Sequence, residues 1–453
     1  MIKEPSSFRD PESKLLFDDV YYYRKISNAY LPHYNHFKIS GLKDFLSKEN
    51  YILHFQEIVN DAIEAEEHVK EVTRTEIIPF VSYPYEWTFS QFKTAALFTL
   101  KINLIALEYG MVLKDASMFN VQFMGSIPFF IDIASFEIYE KDKPWKAYYQ
   151  FCKHFYAPLF IAAKTNIFLP KLLLYFIEGI PLKEAVSLCK ISDFFSVGSF
   201  LHLYLHSQGE NKVVRNGVEK KVGKMQLVNI LKHLQSSIEK LTPKHKVTTW
   251  DNYNHNNNYF EDSKLDKSSI IEGFLKQISC KKALDVGAND GFYSKLYSDK
   301  GIYTLVVDID EFAIERSFVE NHENQNTKIH PLHINLVNPT PAIGWNNVER
   351  KSFWDRCQVD IIQALAVIHH LAITHDIPLQ EIASKFSQHT KYLIIEFVTP
   401  EDCQTQILLN SKPHHCKDYS QLNFEIAFEE FFFMREKINI KGMKRDMYFY
   451  ERK

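Results

Sequence analysis

Ala283-Leu284-Asp285-Val286-Gly287-Ala288-Asn289-Asp290-Gly291-Phe292-Tyr293 is a short apolar run that turns into a helical pattern. Gly287 allows a sharp turn at the end of the run, and Ala288 and Gly291 keep side chains off the space beside it. The amides that open the next helix face the same space, where a ligand would meet their partial positive charge. Asp285 stands at the carboxyl end of the strand, the edge at which open α/β sheets bind ligands.

The glycines here read G-x-x-x-G, so the G-x-G-x-x-G dinucleotide fingerprint is absent. A D-x-G-x-x-x-G loop lacks the tight pyrophosphate turn and suits a ligand with a cationic amine and a ribose. Ribose recognition calls for a second acid about 20 residues on. Asp308 supplies it, closing the apolar run Tyr303-Thr304-Leu305-Val306-Val307. Together these residues resemble motifs I and II of the class I S-adenosylmethionine-dependent methyltransferases.

From Ile270 onward helix and strand patterns alternate, the mark of a parallel sheet covered by helices. The spacing predicts strands at Ala283–Val286, Tyr303–Asp308, Ile329–Ile334, Asp360–Leu365, Tyr392–Phe397, Arg435–Asn439 and Asp446–Glu451. The expected fold class is therefore α/β. Residues 268–453 form a seven-stranded Rossmann-like methyltransferase sheet with a terminal antiparallel pair, preceded by a mostly helical α+β domain.

That preceding half divides into a small α+β segment, 1–75, and a mostly helical stretch, 76–243. Val20 to Ile26 reads as an aromatic strand, Gly41–Leu46 and Tyr51–Ala65 as helices, and Ile77–Val81 as a short strand. Phe89–Tyr109 carries apolar residues near a 3.6 period and stops at Gly110. Pro144 to Leu241 reads as helical. Between them, Asp115-Ala116-Ser117-Met118-Phe119-Asn120 and a hairpin lead to Asp132 at the end of an apolar strand. This resembles the catalytic loop and metal-binding strand of protein-kinase-like phosphotransferases. The resemblance implies that Asp115 orients an acceptor hydroxyl while Asn120 and Asp132 hold magnesium. The rest of that pattern departs: Gly41 and Gly110 are the only glycines before it, no V-A-I-K strand is visible, and Asp132 is followed by Ile133-Ala134.

Residues 244–267 read as a polar linker rich in Asn. Trp250, Tyr253 and Tyr259 are unusual in a spacer, and they are expected to form a lid over the cofactor.

Composition excludes several classes. A net charge of −3 over 453 residues leaves no electrostatic footprint for nucleic acid. The six cysteines form no C-x-x-C pair, which argues for a reducing compartment and no zinc ribbon. His414-His415-Cys416 cannot turn three adjacent side chains to one ion, so no metal is expected. The apolar stretch 157–182 is broken by charges and prolines, and the N-terminus lacks an apolar signal core. The expectation is a cytoplasmic protein with no membrane contact.

Methyl transfer from a sulfonium is an in-line displacement, and a base is needed only if the acceptor must lose a proton. The motif resemblance places Asp285, Gly287, Ala288, Asn289 and Gly291 around the methionine part and Asp308 on the ribose. Asn335 then falls near the adenine, with Ala364 and Leu365 at the end of the fourth strand. The run Val367-Ile368-His369-His370-Leu371 makes His370, and less so His369, candidates for a general base or an acceptor contact. Glu396, at the end of the fifth strand, is a weaker one; the alternative is that the histidines cap and pack the turn. Tyr85 to Gln91, Leu113 to Ser117, Asn338 to Trp345, Ala364 to Leu371 and Glu396-Phe397-Val398 are similar to the nodulation host-specificity methyltransferase-like family of bacterial proteins. That resemblance runs over most of the chain. It implies a methyltransferase with S-adenosylmethionine as cofactor and an N-terminal accessory domain, and it supplies no substrate; the leading expectation is a small-molecule or glycan-type acceptor methylated at oxygen or nitrogen. Two alternatives stay open: a catalytically silent S-adenosylmethionine-binding protein, and a bifunctional protein with a phosphotransferase half.

Overall fold

The computed structural model describes residues 1–10, 12–59, 69–165, 169–209, 221–244, 261–412 and 418–453. Trp250, Tyr253 and Tyr259 lie outside the described residues, as do His414, His415 and Cys416. The chain divides into two units, one of residues 1–124, 128–246 and 342–350, the other of residues 125–127, 247–341 and 351–453.

The first unit opens with five antiparallel strands: β1 (Ile2–Lys3), β2 (Ser13–Phe17), β3 (Tyr21–Ser27), β4 (Phe55–Ile58) and β5 (Val69–Glu76), in the order β1-β2-β3-β5-β4. Between β3 and β4 lie helices α1 (Leu31–Ile39) and α2 (Leu42–Lys48). Phe55–Ile58, expected within a helix, pairs with β5 instead, because cross-strand partners there outweigh a weak helical period. Ile77–Val81 forms no strand; Pro79 cannot donate to a ladder. Helix α3 (Phe89–Glu108) begins where Thr88 accepts the Gln91 amide, and Gly110 follows it with φ +75°. Then come β6 (Met111–Leu113), the hairpin β7 (Val121–Met124) and β8 (Ile127–Phe130), and β9 (Phe136–Ile138), which pairs with β6. The region expected to be helical throughout is broken at Phe176–Gly179 and contains π-helical turns at Cys152–Tyr156 and Phe200–Leu205. Helix α4 (Lys224–Glu239) buries Leu227, Leu231, Leu234 and Ile238, one stripe at helical spacing.

The second unit starts with helix α5 (Glu261–Leu275). Seven strands follow: β10 (Lys282–Val286), β11 (Tyr303–Asp308), β12 (Ile329–His333), β13 (Ile361–Ala364), β14 (Tyr392–Val398), β15 (Phe432–Asn439) and β16 (Arg445–Arg452). Their order is β12-β11-β10-β13-β14-β16-β15. The first five run parallel, and β16 is antiparallel to both β14 and β15. Each of the seven strands expected here is present, with ends moved by a few residues. The central strands are buried on both faces, which is why they read as near-continuous apolar runs. Ile270, Ile271 and Phe274 of α5 pack on one face with Ala283, Ile361, Ile394 and Phe449.

Candidate active site

The pairing register places the site at one edge of the second unit's sheet. Asp285 lies level with Val306 on β11 and Gln363 on β13, and Gln363 lies level with Ile394 on β14. Side chains alternate along a strand, so residues two further on share the same face. Asp308, Gly287, Leu365 and Glu396 therefore continue one row at the carboxyl ends of four adjacent strands. The row spans the point where the order reverses between β10 and β13, the crevice in which doubly wound sheets hold ligands.

Local geometry at this row is set by backbone that few residues tolerate. Gly287, Asn289 and Gly291 have φ of +64°, +53° and +79°. Gly287 is required twice over: a Cβ there would lie 2.2 Å from Cγ2 of Val367. Asn is the non-glycine residue that adopts this conformation most readily, which accounts for position 289. Across the crevice, Ala366 is held at φ +52° just past β13. Strain of this kind costs on the order of 1–3 kcal/mol and persists where surrounding structure demands it.

Asp308 binds the glycine loop to its own strand. One carboxylate oxygen accepts the Asn289 amide and the other the Asp310 amide, both at 2.8 Å. Each oxygen keeps a lone pair, so the pair can still accept two neighbouring hydroxyls. Burial raises the Asp308 carboxyl above its ordinary value, opposed by those amides. Asp310 caps the next helix, α6 (Glu311–Glu323), by accepting the Phe312 and Ala313 amides.

Asp285 is enclosed beneath the loop. It accepts the Ser294 hydroxyl at 2.6 Å, and the Gln363 amide lies alongside. Burial pushes its carboxyl up to about 6, and the nearby charge of Asp308 adds to the rise. Gln363 in turn accepts the Tyr297 hydroxyl at 2.9 Å. Ala288 packs against Val306, Ile314 and Ile329, so it serves the core beneath the loop. Ala364 and Leu365 are both buried at the end of β13. Asn335 follows β12, and its side-chain oxygen accepts the Val337 amide at 3.0 Å.

The three catalytic candidates differ in setting. Both oxygens of Glu396 accept from the Lys267 ammonium at 2.8 Å, and Oε1 also faces Arg445 at 3.2 Å. All three side chains are buried, and Arg445 also reaches Asp402 at 2.9 Å. Burial alone would raise the Glu396 carboxyl, but Lys267 and Arg445 outweigh it and hold the group below its usual range. Glu396 is thus a committed anion, whereas a general base needs an open lone pair at a matched pKa. His369 is buried, its Nδ1 enclosed without a partner. Burial, then His370, Arg445 and Lys267, keep it well below its ordinary value and so neutral at pH 7. His370 stands beside it, ring centroids 4.2 Å apart, and is lowered by burial and by His375. Both histidines are thus pushed towards the neutral form, and the enclosed Nδ1 of His369 suits packing of the turn as well as proton transfer.

Lys267 and Arg445 escaped the sequence reading. They come from a helix before β10 and from the start of β16, and nothing local marks a charge that will be buried. Gln363 was findable, as the one polar residue in the run Ile361-Ile362-Gln363-Ala364-Leu365.

In the first unit, Asp115, Asn120 and Asp132 converge. Asn120 hydrogen-bonds Asp115 and, at 3.0 Å, the Ser135 hydroxyl. Burial raises the Asp115 carboxyl, and the charge of Asp132 adds to it. Asp132 pairs with Arg24 at 2.7 Å. Arg24 lies on β3. Lys114 pairs with Glu12 in the β1–β2 loop.

The strand order and the acid-and-glycine crevice define a sheet of the class I methyltransferase type. Among known proteins, the nodulation protein NoeA of Rhizobium meliloti (strain 1021) is 31% identical over 393 residues, 85% of this chain and 82% of NoeA. The chain belongs to the NoeA family. No family model matches it. Solved structures overlap it loosely. WbdD, seen with the kinase inhibitor LY294002, matches at TM-score 0.28 and 16% identity, covering 42% of this chain and 39% of WbdD, well under two thirds of that protein. The N-methyltransferase NodS from Bradyrhizobium japonicum WM9, in complex with S-adenosyl-L-homocysteine, matches at TM-score 0.32 and 12% identity, covering 43% of this chain and 89% of NodS.

Proposed function

We propose that the second unit is an S-adenosylmethionine-dependent methyltransferase acting on a small-molecule or glycan-type acceptor at oxygen or nitrogen. The observation that carries this reading is Asp308, a part-buried carboxylate fixed by two amides at the strand end beside Gly287, with both oxygens able to take a pair of vicinal hydroxyls. The residues fit the cofactor: Asp308 for the ribose, the positive-φ loop for close backbone approach, and enclosed Asp285 as the anion beneath a cationic amine. Bound there, the sulfonium supplies a transferable methyl. The chain's own part is to orient it, exclude water and, through His370 or His369, accept a proton if the acceptor releases one. Calorimetric titration with S-adenosyl-L-homocysteine tests the reading. Saturable micromolar binding supports it, and no heat removes both the enzyme and the silent cofactor-binding alternative.

A second reading concerns the first unit. Its β1-β2-β3-β5-β4 sheet, the β6–β9 pairing and the meeting of Asp115, Asn120 and Asp132 with Arg24 favour a protein-kinase-like scaffold. Titration with Mg-ATP tests it. Binding lost in Asp132→Asn supports a nucleotide site; no binding leaves a scaffold alone.

A further inference from the structure

Magnesium is what the phosphotransferase-like pattern of the first unit calls for, and Asp132 and Asn120 are the groups that would hold it. Their hydrogen bonds decide whether they fit. Mg²⁺ demands near-octahedral oxygen ligands at about 2.0–2.1 Å, commonly one or two carboxylates with phosphate oxygens. A carboxylate that serves it must keep lone pairs free.

Asp132 is committed to other donors. Its Oδ1 accepts from Nη1 of Arg24 at 2.7 Å and from the Ala134 amide at 3.2 Å, and its Oδ2 accepts the Ser135 hydroxyl. Arg24 is clamped in turn. Nη1 also donates to the buried Ser13 hydroxyl at 2.8 Å, and Nη2 donates to the Ile131 carbonyl at 3.2 Å. Only 11% of the Arg24 side chain and 20% of the Asp132 side chain are exposed, so water screens the pair weakly. Asn120 likewise acts as a donor, to the Ser135 hydroxyl at 3.0 Å and to Asp115.

The neighbouring acids are met within the chain as well. Asp115 accepts the Gln150 amide at 2.7 Å and the Ser117 amide at 2.9 Å. Glu12 pairs with Lys114, and Asp10 accepts the Glu12 and Ser13 amides at 2.8 and 3.1 Å. Among the described residues, no group of three or more His, Cys, Asp or Glu side chains is arranged to hold a metal ion. A dication on Oδ1 of Asp132 would also sit within about 5 Å of the guanidinium that shares this oxygen. At that distance a unit charge weakens binding of a dication by more than about tenfold, even at the dielectric of water.

We propose that Arg24, in the scaffold of the second reading above, stands where the pattern would place a metal, so that the Asp115, Asn120 and Asp132 cluster takes no divalent cation. The inference rests on that reading only for the pattern; the arginine–carboxylate pair stands without it. The phosphotransferase alternative is thereby left without its metal.

Titration of the full chain with Mn²⁺ alone, followed by electron paramagnetic resonance of the free ion, tests the proposal. No nucleotide is present, so the result is independent of whether Mg-ATP binds. Wild type and Asp132→Asn are expected to bind the ion equally, because Asp132 holds none. Arg24→Met keeps the packed stem of the side chain and removes its charge. With wild-type circular dichroism as the check of folding, it is expected to bind Mn²⁺ at least about tenfold more tightly than the wild type does. That gain should vanish in Arg24→Met/Asp132→Asn. Magnesium chloride should likewise raise the melting temperature of Arg24→Met and leave that of the wild type unchanged. Wild-type Mn²⁺ binding that Asp132→Asn abolishes overturns the proposal, and this arm needs no variant at position 24. A folded Arg24→Met that gains neither Mn²⁺ affinity nor magnesium-dependent melting overturns it too, since Arg24 is then not what keeps the metal out.

Discussion

Replacing Asp308 with alanine separates ribose recognition from loop support. In the proposed complex its ionised carboxylate accepts two ribose hydroxyls, and hydrogen bonds to a charged group are worth about 1.5–3 kcal/mol each. Losing both at the lower figure costs about 3 kcal/mol, so the dissociation constant for S-adenosyl-L-homocysteine should rise by about a hundredfold or more. The same carboxylate holds the Asn289 and Asp310 amides, so the variant will also loosen the loop. The two effects are told apart by a double-mutant cycle in which the ligand is one partner. Wild type should prefer S-adenosyl-L-homocysteine over its 2′-deoxy analogue by about tenfold or more, and the variant should show little preference. Calorimetry gives the four affinities, and thermal melting of the ligand-free proteins gives the stability cost separately. If the variant binds the full ligand within a few-fold of wild type, or keeps the wild-type preference for the 2′-hydroxyl, Asp308 does not hold the ribose and the site assignment fails.

Three further outcomes follow from the same geometry. With its carboxyl at about 6, Asp285 gives the ligand-free fold stability at low pH that is lost as pH rises through that value. A cationic amine favours the ionised form, so ligand affinity should run the other way, about tenfold weaker near pH 5 than near pH 7, with proton release visible as buffer-dependent heats. Gly287→Ala must hold φ +64° with its Cβ 2.2 Å from Val367, so it should lose more than about 2 kcal/mol in urea denaturation and most of its ligand binding. Glu396→Gln removes the carboxylate that buried Lys267 and Arg445 share; a loss of about 3–5 kcal/mol is expected, partly recovered in Lys267→Met/Glu396→Met. Wild-type stability in Glu396→Gln would show that the three side chains are not a closed network.

The second unit was legible because its information is local. Strands buried on both faces leave unbroken apolar runs, and the glycine loop and Asp308 follow from backbone demands that only a few residue types meet. The first sheet was harder to read. Its strands are half exposed, and the alternation in Phe55–Ile58 is only four residues long, so strand pairing rather than propensity settled it. Arg24 went unnoticed for a similar reason. Its meaning lies in a partner 108 residues away, Asp132.

The chain's own letters determined the α/β class of the second unit, the order of its elements and the loop that bends at Gly287, because φ preference and two-residue alternation are properties of neighbours. Which strands lie side by side, and so which side chains share a row at the sheet's edge, was decided by tertiary structure alone. Glu396, Lys267, Arg445 and His369 come from a strand, a preceding helix, a later strand and a turn. The charge state of each depends on burial among the others, a long-range desolvation effect that no local pattern encodes.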